Sequence, residues 1–247
     1  MELANTAVII TGGASGMGAA TARRLSQHGA KIALLDINPN PKENIGIAIP
    51  CDVTNEESVK SAIAIAEKKH GPARICINCA GIAHSRRMVN KDGPMSLEEF
   101  KRIIEINLIG TFNVMRLAAS AMIPLQPSES GERGVIINTA SVAAFEGQIG
   151  QTAYSASKGA IVSLTLPAAR ELAQFGIRVN AIAPGLVDTP MFDKLPPEAK
   201  AKLAASVPFP HRLANPDEYA MLVSHIIENP MLNGEVIRLD GALRMQP

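Results

Sequence analysis

The sequence predicts a single α/β domain of the doubly wound kind, a parallel seven-stranded sheet with helices on both faces. Three observations carry that prediction. β-Branched apolar runs alternate with amphipathic stretches along all 247 residues, a glycine-rich turn joins the first such pair, and no linker divides the chain. Strand signals lie near 7–11, 31–35, 46–49, 73–78, 134–138, 176–182 and 234–238; helical stretches lie near 17–28, 55–69, 96–123, 152–174 and 216–228. Strands separated by helical patterns form right-handed βαβ units, which cover a parallel sheet on both sides.

The first element, Thr6-Ala-Val-Ile-Ile-Thr11, is a short β-branched run and hence a buried strand. It runs into Gly12-Gly-Ala-Ser-Gly16-Met-Gly18 and then into the amphipathic stretch from Ala19 to His28. A glycine cluster by itself is usually a turn. Strand, glycine turn and helix in that order are the context of a Rossmann-type dinucleotide fingerprint. Gly12, Gly16 and Gly18, with Ser15 and Met17 between them, let the backbone approach a pyrophosphate at a helix N-terminus.

The second strand, Lys31-Ile-Ala-Leu-Leu-Asp36, ends in a carboxylate 20 residues beyond Gly16. Asp36 can accept both hydroxyls of an adenosine ribose and would repel a 2′-phosphate. Ile37, which follows it, and Ser15 in the glycine turn bring no basic side chain to such a phosphate, so the expected cofactor is NAD rather than NADP.

The remaining elements continue the alternation. Cys76 and Cys79 fall in the fourth strand run, Ala73 to Cys79, where positions three apart face opposite sides. They are expected as core thiols, and no metal site is expected. Ser128 to Gly134 reads as a polar surface turn. Two segments break the pattern: Ala83–Pro94, with Arg86, Arg87 and Lys91, and Asp188–Pro210, which mixes prolines with Met191, Phe192, Leu195, Leu203, Val207 and Phe209. Both lie beyond strand carboxyl ends, where ligands of open α/β sheets bind. Either could serve as an oligomer contact; the second is expected to be a substrate loop and lid.

The chemistry concentrates in Tyr154-Ser-Ala-Ser-Lys158. Residues four apart share a helix face, so a phenol and an ammonium can meet in one pocket. A fixed cation is expected to draw the phenol down from its usual pKa near ~10. Ser141, 13 residues upstream of Tyr154 and just past an apolar run, can hold a carbonyl or alcohol oxygen. These three side chains suit proton transfer during oxidation of alcohols or reduction of ketones.

Composition narrows the alternatives. Net charge is +1 and no long basic run occurs, which argues against a dedicated nucleic-acid binder. No apolar run reaches the ~20 residues needed to span a bilayer, so no membrane role is expected. The first strand begins within the opening seven residues and leaves no room for a cleavable signal. Three cysteines do not form a secreted disulfide framework. A cytoplasmic location is expected, or the mitochondrial matrix in a eukaryote.

Together these motifs resemble the short-chain dehydrogenase/reductase family. The likeness spans the whole chain through Thr11 to Gly18, Asp52-Val53, Asn78-Cys-Ala-Gly81, Asn107, Ser141, Tyr154 with Lys158, and Pro184-Gly185. Within the family, three stretches are most similar to members acting on 3-hydroxyacyl-CoA: Gly134 to Gly147, Ile182 to Leu186, and Asn233 to Gly241. One departure is Cys79, where many members carry a second Asn.

The resemblance implies roles. Tyr154 is the general acid/base, Lys158 lowers its pKa and binds the nicotinamide ribose, and Ser141 holds the substrate oxygen. Asn107 positions a water that links Lys158 to solvent; on the residues alone, an Asn bonding backbone is the commoner reading. Asp52 and Val53 hold the adenine edge, and Asn78, Cys79, Ala80 and Gly81 line the adenosine ribose. Pro184, Gly185, Val187 and Thr189 contact the nicotinamide end, with Thr189 reaching the carboxamide or pyrophosphate. Gln148, between Ser141 and Tyr154, is a candidate to touch substrate, with a surface loop residue as the other reading.

The implied reaction interconverts a secondary alcohol and a ketone with NAD, with a 3-hydroxyacyl-CoA and 3-ketoacyl-CoA pair as the leading small-molecule substrate. A steroid or small cyclic or aromatic alcohol is the second reading. A scaffold in an RNA-processing complex is the third. The resemblance also implies a homotetramer, built partly on 96–123, 152–174 and the apolar tail Gly241 to Pro247.

Overall fold

The chain's architecture is set by a sheet whose strands are short, β-branched and covered on both faces, as a parallel ladder requires. The computed structural model describes residues 1–39, 45–190, 193 and 196–247. Met191, Phe192 and Leu195 of the expected lid lie outside the described residues.

The first half of the fold comprises β1 (Ala7–Thr11), α1 (Gly16–Gln27), β2 (Lys31–Asp36), β3 (Ile47–Pro50), α2 (Glu56–His70) and β4 (Ile75–Asn78). A small antiparallel hairpin follows, β5 (Val89–Asn90) with β6 (Gly93–Pro94), and then α3 (Leu97–Ile104) and α4 (Thr111–Met122). The second half contains β7 (Gly134–Thr139), α5 (Thr152–Ala173), β8 (Ile177–Pro184), α6 (Pro197–Ala205), α7 (Pro216–Glu228) and β9 (Val236–Leu239). Seven parallel strands run in the order β3-β2-β1-β4-β7-β8-β9. The order reverses direction between β1 and β4, which opens a crevice at the strand carboxyl ends.

Strand alternation feeds two cores. Ile9, Cys76 and Ile136 point into one with Val59, Ala62 and Ala66 of α2 and Val114, Met115 and Ala118 of α4. Val8, Ile10, Ile75 and Ile77 point into the other with Leu25 of α1 and Tyr219, Val223 and Ile227 of α7. Cys76 sits in the first core, and Cys79 packs against the second, so the two thiols face opposite sides as expected. No group of three or more His, Cys, Asp or Glu among the described residues could hold a metal ion.

Three expectations need correction. The stretch 96–123 is helical from Leu97 to Met122 but not uniformly α: a π-helical turn, Glu105–Gly110, joins α3 to α4. π-Turns widen a helix by one residue and are frequent at functional sites. Asp188–Pro210 is not only loop, since α6 forms within it. Nor is Ser128–Gly134 merely surface. Glu132 is 6% exposed and pairs with the Nε of Arg178 at 2.6 Å. The Arg178 guanidinium also donates to the carbonyls of Ile226, Ile227, Asn229 and Leu232. A buried acid-base pair thus ties the C-terminal end of α7 to β8, a contact between residues 46 apart that local polarity conceals.

Candidate active site

The β1–α1 turn passes so close to β4 that a side chain on Gly12 would meet the Ala80 nitrogen at 2.8 Å, and its φ of +62° already suits glycine. Gly16 likewise sits at φ +53°. The backbone of this turn lies bare against a groove of about 450 Å³. Gly12, Ser15, Gly16, Met17 and Gly18 form its floor. Asp36, Ile37, Asp52, Val53, Cys79, Ala80 and Gly81 form its walls.

Asp36 closes one end of this groove. Its Oδ2 accepts from the Ala14 amide at 3.1 Å and its Oδ1 from the Asn38 amide at 3.0 Å. Both oxygens keep lone pairs for ribose hydroxyls. Asp52 is held by the amide and hydroxyl of Thr54, at 2.9 and 2.8 Å, and Asn113 fixes the Val53 carbonyl at 2.9 Å. Such a cradle, ending in a carboxylate with exposed Ile37 beside it, fits an adenine dinucleotide without a 2′-phosphate. Asn78 departs from expectation: it is 2% exposed and lines neither cavity. Its amide donates to Asn138 Oδ1 at 2.9 Å, so it joins β4 to β7 behind the groove instead of touching a cofactor.

A second cavity, about 390 Å³, continues from the first through their shared wall of Met17, Cys79, Gly81, Ile82 and Thr189. Ser141, Tyr154 and Lys158 line it, as do Pro184, Gly185, Val187 and Gln148. Ser141 reaches it because β7 ends at Thr139 and a 3-10 turn, Val142–Ala144, begins at once, with the Ser141 Oγ accepting from the Ala143 amide. Tyr154 and Lys158 stand on the first turns of α5. The Lys158 Nζ lies 5.9 Å from the centre of the Tyr154 ring.

Lys158 is 5% exposed, and burial pushes its amine down to about 8. It therefore stays roughly nine-tenths charged at neutral pH. Its Nζ donates to the Thr139 carbonyl at 2.7 Å. Tyr154 behaves differently from the sequence expectation. Its hydroxyl is raised above the usual value, because desolvation outweighs the hydrogen bond from Ser141. The ammonium sits over the ring and aims at Thr139, so the phenol gains little from it in this arrangement.

Asn107 occupies the π turn and is fully buried. Its Oδ1 accepts from the Ile82 amide at 2.8 Å; its Nδ2 donates to the Ile82 carbonyl at 2.9 Å and to Ser157 Oγ at 3.1 Å. It bonds backbone, as its residue type suggested, but the backbone of the β4 exit and not of its own helix. Asn107 lines neither cavity, and so acts as a positioning residue that clamps the β4 exit against α5. Gln148 lines the substrate cavity, yet its Nε2 donates to the Gln246 carbonyl at 2.9 Å. Its amide nitrogen is committed to the C-terminal tail rather than left to substrate.

Sequence reasoning missed Thr139 and Tyr219. The Asn78 carbonyl can only accept, so the Thr139 hydroxyl donates to it at 2.6 Å. Tyr219 must then donate to Thr139 Oγ1, at 2.8 Å, and accept from the Cys79 thiol, at 3.6 Å. This buried chain locks the residue whose carbonyl anchors Lys158. Burial holds Tyr219 well above the usual phenol range, which keeps its proton in place. No local signal marks either residue, because Tyr219 reaches the site from α7, 80 positions away.

Known proteins agree with this geometry. A family model described as short chain dehydrogenase matches residues 6–200. The 3-hydroxyacyl-CoA dehydrogenase type-2 of Homo sapiens is 55% identical, over 97% of this chain and 95% of the relative. Its namesake from Drosophila melanogaster is 52% identical, over 98% and 99%. Among solved structures, 3-hydroxyacyl-CoA dehydrogenase type-2 from Mycobacterium avium superposes with a TM-score of 0.92 at 42% identity, covering 98% of this chain and 96% of that one. A 3-ketoacyl-(acyl-carrier-protein) reductase from Brucella melitensis, complexed with NADH, gives a TM-score of 0.88 at 29% identity, covering 98% and 100%. The chain belongs to the short-chain dehydrogenase/reductase family, whose members interconvert secondary alcohols and ketones with a nicotinamide dinucleotide.

Proposed function

We propose that this chain is an NAD-dependent dehydrogenase that interconverts 3-hydroxyacyl-CoA and 3-ketoacyl-CoA. The observation that carries the reading is the meeting of a dinucleotide-shaped groove, closed by Asp36, with a second cavity at Ser141, Tyr154 and Lys158. The names of the relatives at 52% and 55% identity supply the thioester substrate. NAD, when bound, supplies the hydride acceptor.

The protein's own groups orient the substrate and move a proton. Ser141 donates to the substrate oxygen, and Tyr154, beside it, takes the hydroxyl proton in oxidation and returns it in reduction. In this arrangement the Lys158 ammonium stays on the Thr139 carbonyl, and stabilising a forming phenolate requires it to leave that carbonyl for the phenolic oxygen. A raised resting value for Tyr154 keeps the phenol protonated until substrate arrives, which suits it to donate a proton in the reductive direction.

Arg86, one of three cations in the segment after β4 that could attract the CoA phosphates, is already paired with Glu99 at 3.2 Å. Arg87 and Lys91 are exposed on the segment between β4 and α3. The test follows NADH oxidation with acetoacetyl-CoA against free ketones. A kcat/KM for the thioester at least about tenfold higher supports the proposal; the reverse order points to the second reading, a free steroid or cyclic alcohol. Apolar Val142, Ala143 and Leu186 on the cavity wall favour that second reading. An intact Ser/Tyr/Lys set speaks against a scaffold role alone.

We also propose a homotetramer, because Ile109, Phe112 and Ile123 near α4 and Leu166 on α5 present apolar surface to solvent. Light scattering of the purified chain tests this, and a monomer mass refutes it. The three free thiols fit a reducing compartment, the cytoplasm or mitochondrial matrix, which cell fractionation checks. No helix among the described residues is long and apolar enough to cross a membrane.

A further inference from the structure

The substrate cavity has one wall that belongs to none of the strand-end loops. Met245, four residues beyond Gly241, lines it from the C-terminal tail. Four sets of contacts fasten that tail. Arg238 on β9 grips both carboxylate oxygens of Glu146, at 2.9 and 2.8 Å, and donates to the Leu243 carbonyl at 3.1 Å. Asp240 accepts from Arg238 at 2.7 Å and from Arg244 at 3.2 Å. Gln148, on the loop after β7, holds the Gln246 carbonyl. Leu243 is 3% exposed in a small core with Leu186, Val207 and Leu213, and Met245 and Leu203 of α6 pack against that core.

Met245 therefore stands where tail, α6 and the loop after β7 are bound into one unit, with the cavity on its open side. On one flank Leu243 is buried and Arg244 is ion-paired, and on the other Gln148 holds the Gln246 carbonyl, so the wall cannot recede without breaking these contacts. A thioether adapts its shape but still occupies space. We infer that Met245 is a specificity-determining residue that sets the length of acyl chain the cavity accepts. The inference rests on the thioester reading for its substrate class. It goes beyond that reading by locating the limit in the tail rather than in the loop Asp188–Pro210.

The experiment measures kcat/KM for straight-chain 3-ketoacyl-CoA substrates from C4 to C10, and in parallel for straight-chain 2-ketones of matching length. It uses the unsubstituted chain, Met245→Ala and Met245→Trp, with NADH binding and circular dichroism as checks of folding. Removing the end of the methionine opens room for two or three methylenes, and pocket methylenes discriminate by about 10–200-fold. Met245→Ala is expected to raise the C8-to-C4 ratio about tenfold, and Met245→Trp to lower it by a similar factor. Ratios within about twofold of the parent in both folded variants overturn the inference. Met245→Val replaces Met245→Ala if the latter does not fold, with the same expected direction and the same refuting result. If thioesters are not turned over while ketones are, the proposed substrate fails and the wall is judged on the ketone ratios.

Discussion

Replacing Lys158 with Met should make the protein more stable while removing its activity, and the gain should vanish as pH rises. The folded amine titrates near 8, against 10.5 for an ordinary lysine, and burial is the main cause. The unfolded chain therefore binds more protons between those two values, so stability of the unsubstituted protein rises with pH across that window. Below it the full penalty is present, about 3 kcal/mol. Methionine has a similar length and no charge to desolvate. Loss of the Nζ bond to the Thr139 carbonyl returns about 1 kcal/mol, which leaves a net gain of about 2 kcal/mol at pH 7. At pH 9.5 the penalty has fallen by about 2 kcal/mol, and the advantage of the variant should be close to zero. Urea denaturation of both proteins at pH 7 and 9.5, at one protein concentration, reads this directly. A Met variant that is less stable at pH 7, or whose difference from the parent does not change with pH, refutes the argument that a desolvated ammonium sits in the site.

Other substitutions test the remaining parts. Tyr154→Phe should lower turnover by at least about 100-fold, the lower end of general acid/base effects, while NADH still binds; activity within tenfold of the parent removes Tyr154 from its role. Asp36→Ala should weaken NADH binding by about tenfold, the scale of one or two charge-assisted hydrogen bonds, and relax discrimination against NADPH. A parent chain that already prefers NADPH contradicts the reading of that carboxylate. Asn107→Ala strips partners from both Ile82 backbone groups and from Ser157, and should cost about 2–4 kcal/mol in urea denaturation. Unchanged stability would show that the clamp on the β4 exit is unnecessary.

The elements that sequence reasoning placed well are those whose signal is local. Thr6 to Thr11, Gly12 to Gly18 and Tyr154 with Lys158 each carry their meaning within a few residues, and the structure puts each where spacing implied. The misreadings share a different character. Asn78 carries an amide that could serve a ligand, and only its actual partner, Asn138, shows that it serves the scaffold; Gln148 does line the cavity, but its amide nitrogen is committed to the Gln246 carbonyl. Glu132 looked like turn polarity because its partner Arg178 is distant in sequence. The π turn at Glu105–Gly110 left no mark in the helical pattern, since π and α turns use the same residue types.

By itself the sequence determined the doubly wound order of strands and helices, the glycine cradle with its terminal carboxylate, and the Ser/Tyr/Lys set. Periodicity and short spacings encode all of these, and they need no knowledge of what packs on what. Only the tertiary structure decided how those groups are tuned. The amine of Lys158 drops and the phenol of Tyr154 rises because each is removed from water by segments far away in the chain, and Met245 meets the cavity only once the tail has docked. Desolvation and long-range contact are properties of the folded surface, and no window of residues contains them.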